Sequence, residues 1–192
     1  MKKTCALGLD LATTTGYAWH RNPMPRPFLD AFRLPGDPGE VGKPAYALEN
    51  WLWDLYDATK GDGPITHIFF EAQHISGNIN IDTVYRLICL GGVVEKFAFQ
   101  IHAHVYKVEI SKWRKHFIGR GSGFKKTPDK KKYLPGEDPK DLALQRCADY
   151  GWHTDKPDAA EAAGILDFGL SALGEYHPRP WRDAAMMKAM QK

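Results

Sequence analysis

The segment CALGLDLATTTGYAWH, residues 5–20, is the part of the sequence that most directly predicts the fold. Its apolar run over residues 5–12 is typical of a buried β-strand and carries one carboxylate, Asp10, near its end. Gly16 marks a break, after which YAWH predicts a second strand. The segment FLDAFRL, residues 28–34, predicts a third strand. The chain therefore opens with three strands at hairpin spacing.

The rest of the chain alternates between helical and strand patterns. Asp138 followed by Pro139 predicts the N-cap and first residue of one helix, and Ser111 predicts the cap of a shorter one. Helices are predicted over residues 44–59, 81–99, 111–118, 138–150 and 157–173, and strands over residues 65–71 and 101–110. Summarised as β-β-β-α-β-α-β-α-α, the pattern predicts a mixed α/β domain over residues 1–175, with a five-stranded sheet flanked by helices and a tail over residues 176–192.

Composition narrows the class of protein. The chain has 192 residues, of which 43% are hydrophobic, so we expect one domain with a core of its own. This composition excludes a disordered chain, collagen and a coiled coil. The three cysteines form no CxxC pair, which predicts reduced thiols. The sequence contains neither the apolar core of a signal peptide nor an apolar run long enough to span a membrane, so we expect a cytoplasmic protein without a membrane partner.

The charge is unevenly distributed along the chain. The formal net charge is only +3, but residues 112–133 hold nine basic residues and one acidic residue. We call residues 112–133 the basic arm. A basic segment on a mildly acidic body is typical of a protein that binds a polyanion, although a solvated lysine loop would have the same composition. The nine candidate DNA-binding residues are Lys112, Arg114, Lys115, Arg120, Lys125, Lys126, Lys130, Lys131 and Lys132.

The basic arm also contains glycines and the aromatic residues Trp113, Phe124 and Tyr133. Glycines make a segment flexible enough to follow a phosphate backbone, and aromatic rings are available to stack on bases. The composition therefore favours nucleic acid as the polyanion.

Four carboxylates occupy positions suited to chemistry. Asp10 and Glu71 end apolar strands, where an unpaired charge is costly, and ligands of open α/β sheets collect beyond the carboxyl ends of strands. Asp158 and Glu161 are three residues apart in the last helix, so they share one face among small residues. Each acid also has a simpler interpretation. Asp10 can cap a turn, Glu71 can form an ion pair, and the helical pair can compensate a helix N-terminus.

The four acids together indicate a metal site. Carboxylates gathered in one place do not all stay ionised without cations. Oxygen ligands select hard ions, so we expect two Mg²⁺ or Mn²⁺ ions per site. Two such ions acting on a phosphodiester make a hydrolytic centre. The sequence therefore predicts Asp10, Glu71, Asp158 and Glu161 as the catalytic and metal-binding residues.

Three motifs in order resemble the RuvC-like Holliday junction resolvases of the RNase H-like superfamily: GLDLATTTGYA at residues 8–18, IFFEAQ at residues 68–73, and DAAEAAGILDFGL at residues 158–170. The resemblance implies an RNase H-like fold and a homodimer with two active sites. It also implies Mg²⁺- or Mn²⁺-dependent nicking of four-way DNA junctions. The four acids match the family's catalytic positions, with Asp10 as the residue that bridges the two ions.

The sequence departs from the family pattern in several places. The second acid of the helical pair is usually aspartate in this family, and here it is Glu161. Asp155 competes with it for a place in the cluster. The loop after Asp10 is shorter than in typical bacterial members, and the lysine-rich insertion is not typical of them. These features resemble divergent phage or prophage members.

Three other functions compete with junction resolution. DLATTTG also resembles the first phosphate loop of sugar-kinase and actin-like ATPases, but those enzymes need two such domains. The same fold and site could act on flaps or RNA-containing substrates instead of junctions. A catalytically silent module that binds branched DNA is the third, and the four retained acids argue against it because carboxylates repel phosphate.

Overall fold

A computed structural model of the chain describes residues 5–37, 39–72, 80–129 and 132–174. It contains a mixed five-stranded sheet in the order β3-β2-β1-β4-β5. The strands are β1 (Cys5–Asp10), β2 (Thr14–Arg21), β3 (Phe28–Arg33), β4 (His67–Glu71) and β5 (His104–Val108). Neighbours among the first three strands are antiparallel, while β4 is parallel to both β1 and β5. The predicted sheet is confirmed.

Within the described residues, five α-helices cover the two faces of the sheet. They are α1 (Gly42–Thr59), α2 (Ile81–Gln100), α3 (Ile110–Phe117), α4 (Pro139–Asp149) and α5 (Pro157–Ala172), and α1 leads into a short 3₁₀ turn over Lys60–Asp62. One buried cluster joins the sheet to α1 and α2, and the other joins it to α3, α4 and α5. All five predicted helices are present. The short helix predicted over residues 111–118 is α3, which the summary order β-β-β-α-β-α-β-α-α omits.

The central strand β1 is buried on both faces, and alternate residues divide between the two cores. Leu7 and Leu9 belong to the cluster under α1 and α2, while Ala6 belongs to the cluster under α5. Gly8 faces α5 as well, and a Cβ there would lie only 2.6 Å from the carbonyl oxygen of Ala162. The absent side chain therefore lets α5 lie directly on the sheet.

The ends of several elements differ from the predictions. Strand β5 begins at His104 rather than at residue 101, because α2 continues to Gln100 and the turn after it holds His102 at a φ of 58°. Ser111 lies inside α3, whose N-cap is Glu109. The predicted capping of α4 by Asp138, with Pro139 as first residue, is confirmed, and the Asp138 side chain accepts a hydrogen bond from the Lys140 amide.

The tail over residues 176–192 lies outside the described residues, as do Lys130 and Lys131. The division into a domain and a tail stays a prediction. No helix within the described residues is long and apolar enough to cross a membrane.

Candidate active site

The sheet brings two of the predicted acids to one edge. Asp10 is the last residue of β1, and Glu71 is the last residue of β4. These two strands are parallel neighbours, with Leu9 paired to Phe70. Their carboxyl ends therefore lie side by side, as expected of a ligand site in an α/β sheet.

Helix α5 adds the other two acids to this edge. It begins at Pro157, so Asp158 lies in its first turn and Glu161 lies one turn further on. Carboxylate oxygens of Asp10, Asp158 and Glu161 all lie within 4.8 Å of one another. Glu161 is buried, and Asp10 and Asp158 are partly buried. The structure thus brings three of the four predicted acids into one tight group, which we call the carboxylate cluster.

Gly16 on β2 permits this approach. A Cβ on Gly16 would lie 1.9 Å from the carbonyl oxygen of Asp158 and 2.8 Å from the amide nitrogen of Ala159. No side chain fits in that space. The start of α5 therefore rests on the backbone of β2, and this contact sets the position of Asp158.

The competition between Asp155 and Glu161 is decided by where α5 begins. Asp155 precedes the helix and is exposed. It does not belong to the carboxylate cluster formed by the described residues. Glu161 is therefore the residue that lies beside Asp10 and Asp158.

Glu71 lies on the same groove but is held by a neighbour of its own. The indole Nε1 of Trp113, on α3, donates a hydrogen bond to Glu71 Oε2 at 3.0 Å. Trp113 is fully buried, so this bond fixes the carboxylate from inside the protein. Glu71 thus faces the groove from β4, while the Trp113 ring that donates to it lies in the core.

Two basic residues contact the carboxylate cluster. Arg114 Nη2 lies 2.9 Å from Glu161 Oε1. Lys140 Nζ forms an ion pair with Asp158 and lies 3.6 Å from Glu161 Oε2. These cations partly neutralise the acids, and Lys140 remains about half exposed at the side of the groove.

The electrostatics of the site follow from this crowding. Burial raises the pKa of Asp10 well above its usual range, and the charges of Glu161 and Glu71 raise it further, while Lys140 opposes the shift. Burial also raises the pKa of Glu71, against the hydrogen bond from Trp113 and the charge of Arg114. Burial lowers the pKa of Lys140, but its hydrogen bond to Asp158 and the nearby carboxylates raise it more strongly. The groove therefore favours additional positive charge.

The four acids and Lys140 line a groove of about 540 Å³ that continues towards Thr13 and Arg86. The donor set is composed of carboxylate oxygens, the ligands preferred by hard divalent cations. The raised pKa of Asp10 means that the cations of the protein do not fully offset the negative charge of the ionised Asp10. The residues present therefore fit Mg²⁺ or Mn²⁺.

The predicted DNA-binding residues separate into three groups. Lys112 pairs with Glu109, Arg114 with Glu161, and Arg120 with Glu137. Four others have no acidic partner within salt-bridge distance among the described residues, namely Lys115, Lys125, Lys126 and Lys132. Lys130 and Lys131 fall outside the described part of the chain.

Sequence reasoning missed the contacts made by Trp113 and Lys140, and it assigned Arg114 to DNA binding alone. These residues come from α3 and α4, far from the acids in sequence. The only signal was the density of basic residues around residue 114. That density could not separate a cation paired with a carboxylate from one facing solvent.

The sheet topology and the packing of helices on both faces of the sheet match a RuvC/RNase H-like α/β fold, as the motifs predicted. Comparison with solved structures finds this fold in RuvC from Thermus thermophilus, with a TM-score of 0.58 and 15% sequence identity over 89% of this chain and 97% of that one. Thermus thermophilus RuvC in complex with Holliday junction substrate gives a TM-score of 0.61 and 14% identity, covering 89% and 96%. The yeast mitochondrial Holliday junction resolvase Ydc2 gives a TM-score of 0.51 and 11% identity, covering 97% and 82%.

Comparisons of the sequence with protein-family models and with curated proteins find no match. The similarity is therefore carried by the fold.

Replacing Trp113 with phenylalanine should impair catalysis through Glu71. The hydrogen bond from Trp113 lowers the pKa of Glu71, so its loss raises that pKa further. If Glu71 holds a metal ion, as the sequence predicts, the rate of DNA cleavage should fall about 10-fold, since removing a partner of a metal ligand typically costs about 10- to 100-fold. The acidic limb of the pH–rate profile for DNA cleavage should move to higher pH.

Trp53→Phe is the matched control. Trp53, on α1, packs against Phe97 of α2 on the other side of the sheet from Trp113. An unchanged acidic limb in Trp113→Phe would show that Glu71 does not need this hydrogen bond.

Proposed function

We propose that this protein is a metal-dependent endonuclease that resolves four-way DNA junctions by paired phosphodiester hydrolysis. The observation that carries the proposal is the carboxylate cluster at the joined ends of β1 and β4, completed by the start of α5. A site of this composition suits phosphodiester chemistry. The similarity of the fold to two Holliday junction resolvases supports the choice of substrate.

Each acid has a proposed role in holding the two ions. Asp10 and Glu71 would hold one, and Asp10 with Asp158 and Glu161 would hold the other. Bound ions of this kind lower the pKa of a water and stabilise the leaving 3′ oxygen. In-line attack would break the bond between phosphorus and the 3′ oxygen, leaving a 5′ phosphate and a 3′ hydroxyl.

The chain's own cations position the substrate beside these acids. Lys140 is half exposed at the groove and carries a proton at neutral pH, because its pKa is raised. Its ammonium can therefore donate to a non-bridging phosphate oxygen. Arg114, held by Glu161, presents a planar guanidinium at the other side of the cluster. Both would keep the acids from repelling DNA.

The basic arm would supply salt-dependent affinity for the DNA backbone. Lys125, Lys126 and Lys132 are exposed, and each neutralised phosphate of duplex DNA steepens the salt dependence of binding. This arm, together with Glu161 and the short loop after Asp10, is the basis for proposing a phage- or prophage-type member, and we propose that it works in the bacterial cytoplasm.

Changing Lys125, Lys126 and Lys132 together to glutamine should flatten that salt dependence. Three lost phosphate contacts would reduce the slope of log affinity against log salt by up to about 2.7. The measurement is junction binding in chelator over a salt series. Lys112→Gln is the control, because Lys112 already pairs with Glu109. An unchanged slope in the triple variant would identify the arm as a solvated loop.

A homodimer is proposed from the outer face of α2. Ile81, Tyr85 and Ile88 lie one and two turns apart on that face and are 59%, 60% and 50% exposed. Further along this apolar stripe of α2, no atom of the described residues lies within 4 Å of a Cβ built on Gly92, so another backbone can approach there. A second copy of this chain would bury the same stripe twice about a two-fold axis, as closed dimers do.

Tyr85→Lys should dissociate this dimer. A charge at the centre of an apolar interface is costly to bury, so sedimentation at micromolar concentration should show monomers. Junctions should then receive single nicks in place of paired ones. Tyr46→Lys is the control, because Tyr46 is 69% exposed on α1. A variant that stays dimeric would assign the interface elsewhere.

Competition between substrates tests the proposed function. A labelled immobile four-way junction is incubated with Mg²⁺ or Mn²⁺ beside a matched linear duplex, a flap and an RNA–DNA hybrid. Preferred, metal-dependent cutting of the junction supports the proposal. Preferred cutting of flaps or hybrids would keep the site and change the substrate. Tight junction binding without any cutting would indicate a silent binding module.

A further inference from the structure

Hydrogen bonds order the backbone at the end of the basic arm, within residues 119–129 and 132–137. Lys126 pairs with Tyr133 in an antiparallel bridge. The amide of Thr127 donates to the carbonyl of Lys132 at 2.8 Å, and the amide of Leu134 donates to the carbonyl of Lys125 at 3.0 Å. We call residues 119–129 and 132–137 the arm hairpin, and this pairing positions the side chains of those residues.

The arm hairpin is attached to the body of the protein at its base. Glu137 accepts a hydrogen bond from the Lys125 amide at 3.1 Å and pairs with Arg120 at 2.7 Å. On the preceding segment, a Cβ on Gly121 would lie 2.3 Å from the carbonyl oxygen of Ser111, so the chain there lies against the start of α3. The Gly121 contact ties the arm hairpin to the helix that carries Trp113 and Arg114, while Glu137 holds the base of the hairpin together.

Two aromatic rings lie together on the arm hairpin. The rings of Phe124 and Tyr133 are 6.4 Å apart and nearly perpendicular. The Arg120 guanidinium lies 4.7 Å from the Phe124 ring centre, and Lys126 Nζ lies 4.8 Å from the Tyr133 ring centre. Both rings are partly exposed. Each ring is therefore accompanied by a cation while remaining accessible from outside.

This combination matches the chemistry of unpaired nucleic acid strands. A base presents a flat π-face that stacks on an aromatic side chain, and its phosphate attracts a nearby cation. Duplex DNA keeps its bases stacked on one another and offers only phosphates and groove edges. Rings and cations alternating on one hairpin therefore fit a strand whose bases are unstacked.

The arm hairpin also lies close to the carboxylate cluster. Arg114 contacts Glu161 Oε1 at 2.9 Å, and its guanidinium carbon lies 6.0 Å from the Phe124 ring centre. The Phe124 ring centre is therefore no more than about 10 Å from a carboxylate oxygen of the cluster, a distance that a few nucleotides of one strand can span.

We infer that Phe124 and Tyr133 form a stacking site for unpaired nucleotides beside the cleaved phosphate. The inference rests on the proposed function for its ligand, an unpaired DNA strand at the centre of a branched substrate. Lys126 and Arg120 would contact the adjoining phosphates. The site would favour DNA whose bases have come apart near the scissile bond.

The test measures binding of a short fluorescent single strand, without self-complementarity, by anisotropy in chelator. The full chain and its Phe124→Leu and Tyr133→Leu variants are compared on this strand and on a duplex of matched length. Loss of one stacked base should weaken strand binding by about 5- to 150-fold. Duplex binding should change by less than about twofold.

Two further variants keep the test decisive. Phe124→Trp retains an aromatic face, so it should bind the strand at least as tightly as the natural chain. Tyr46→Leu removes an exposed ring on α1, remote in sequence from the arm hairpin, and should leave strand binding unchanged. Equal strand affinities for Phe124→Leu, Phe124→Trp and the natural chain would overturn the inference. Equal losses for strand and duplex in Phe124→Leu would overturn it as well.

This outcome is separable from that of the proposed function, because strand binding in chelator needs no cleavage. Junction cleavage together with ring-independent strand binding would refute the stacking site alone. Ring-dependent strand binding in a protein that cuts no junction would refute the resolvase proposal alone.

Discussion

Asp10→Asn should reduce DNA cleavage at least about 1,000-fold while leaving junction binding intact or tighter. Asp10 is the acid that both proposed ions share, and the asparagine amide replaces one of its two oxygens with a donor nitrogen. The substitution also removes a carboxyl group whose ionised form is disfavoured by burial. The measurement is single-turnover cleavage of a four-way junction in Mg²⁺, with affinity determined separately in chelator.

Asp155→Asn is the matched control, because Asp155 is an exposed aspartate near the start of α5 but outside the carboxylate cluster. We expect cleavage within about twofold of the natural chain, as surface substitutions away from special features have small effects. Cleavage retained in Asp10→Asn would contradict the assignment of the site. Binding lost together with cleavage would assign Asp10 a role in folding or DNA contact instead.

Among the proposed substitutions, Gly16→Ala should cause the largest loss of folding stability. Its Cβ would lie 1.9 Å from the carbonyl oxygen of Asp158, a backbone atom that cannot move without shifting α5. Overpacking typically costs about 1–3 kcal/mol, and we expect about 3 kcal/mol because the contact is with backbone. For a chain of this size that corresponds to a melting temperature lower by roughly 6–12 °C.

Gly42→Ala is the control, since a Cβ on Gly42, at the start of α1, would meet no atom of the described part of the chain within 4 Å. Alanine there should be neutral or slightly stabilising. In Gly16→Ala, whatever protein remains folded should also cut DNA poorly, because Asp158 is displaced. Thermal unfolding and cleavage are measured on the same preparations. A Gly16→Ala variant as stable and active as Gly42→Ala would mean that α5 does not depend on this close approach.

The sheet could be predicted because its pattern is local. Three apolar segments at hairpin spacing and two later apolar runs predict the five strands. The acids that end two of them, Asp10 and Glu71, predict the edge of the sheet at which the site lies. Parallel pairing of β1 and β4 then follows from the helix that connects the opening strands to β4. The helical spacing of Asp158 and Glu161 was equally local.

The remaining features of the site depend on contacts distant in sequence. Gly16 interrupts a strand pattern and was interpreted as a break, whereas it lies inside β2 and makes room for α5. Arg114 carries the same charge as its neighbours in the basic arm, so the sequence does not distinguish it from them. The packing of α3 on α5 is what directs Arg114 to Glu161. Lys140 reaches Asp158 from α4 for the same reason. Periodicity within one helix carries no information about which residue faces another helix.

Mapping the products formed from an immobile four-way junction in Mg²⁺ is the decisive measurement for junction resolution by this site. Each strand is labelled in turn, and the nicks are then offered to a DNA ligase. We predict nicks at symmetric positions near the branch in two strands of like polarity, sealed by the ligase because each carries a 5′ phosphate and a 3′ hydroxyl. Metal-dependent nicks scattered along the arms, or ends that the ligase cannot seal, would contradict junction resolution by this site.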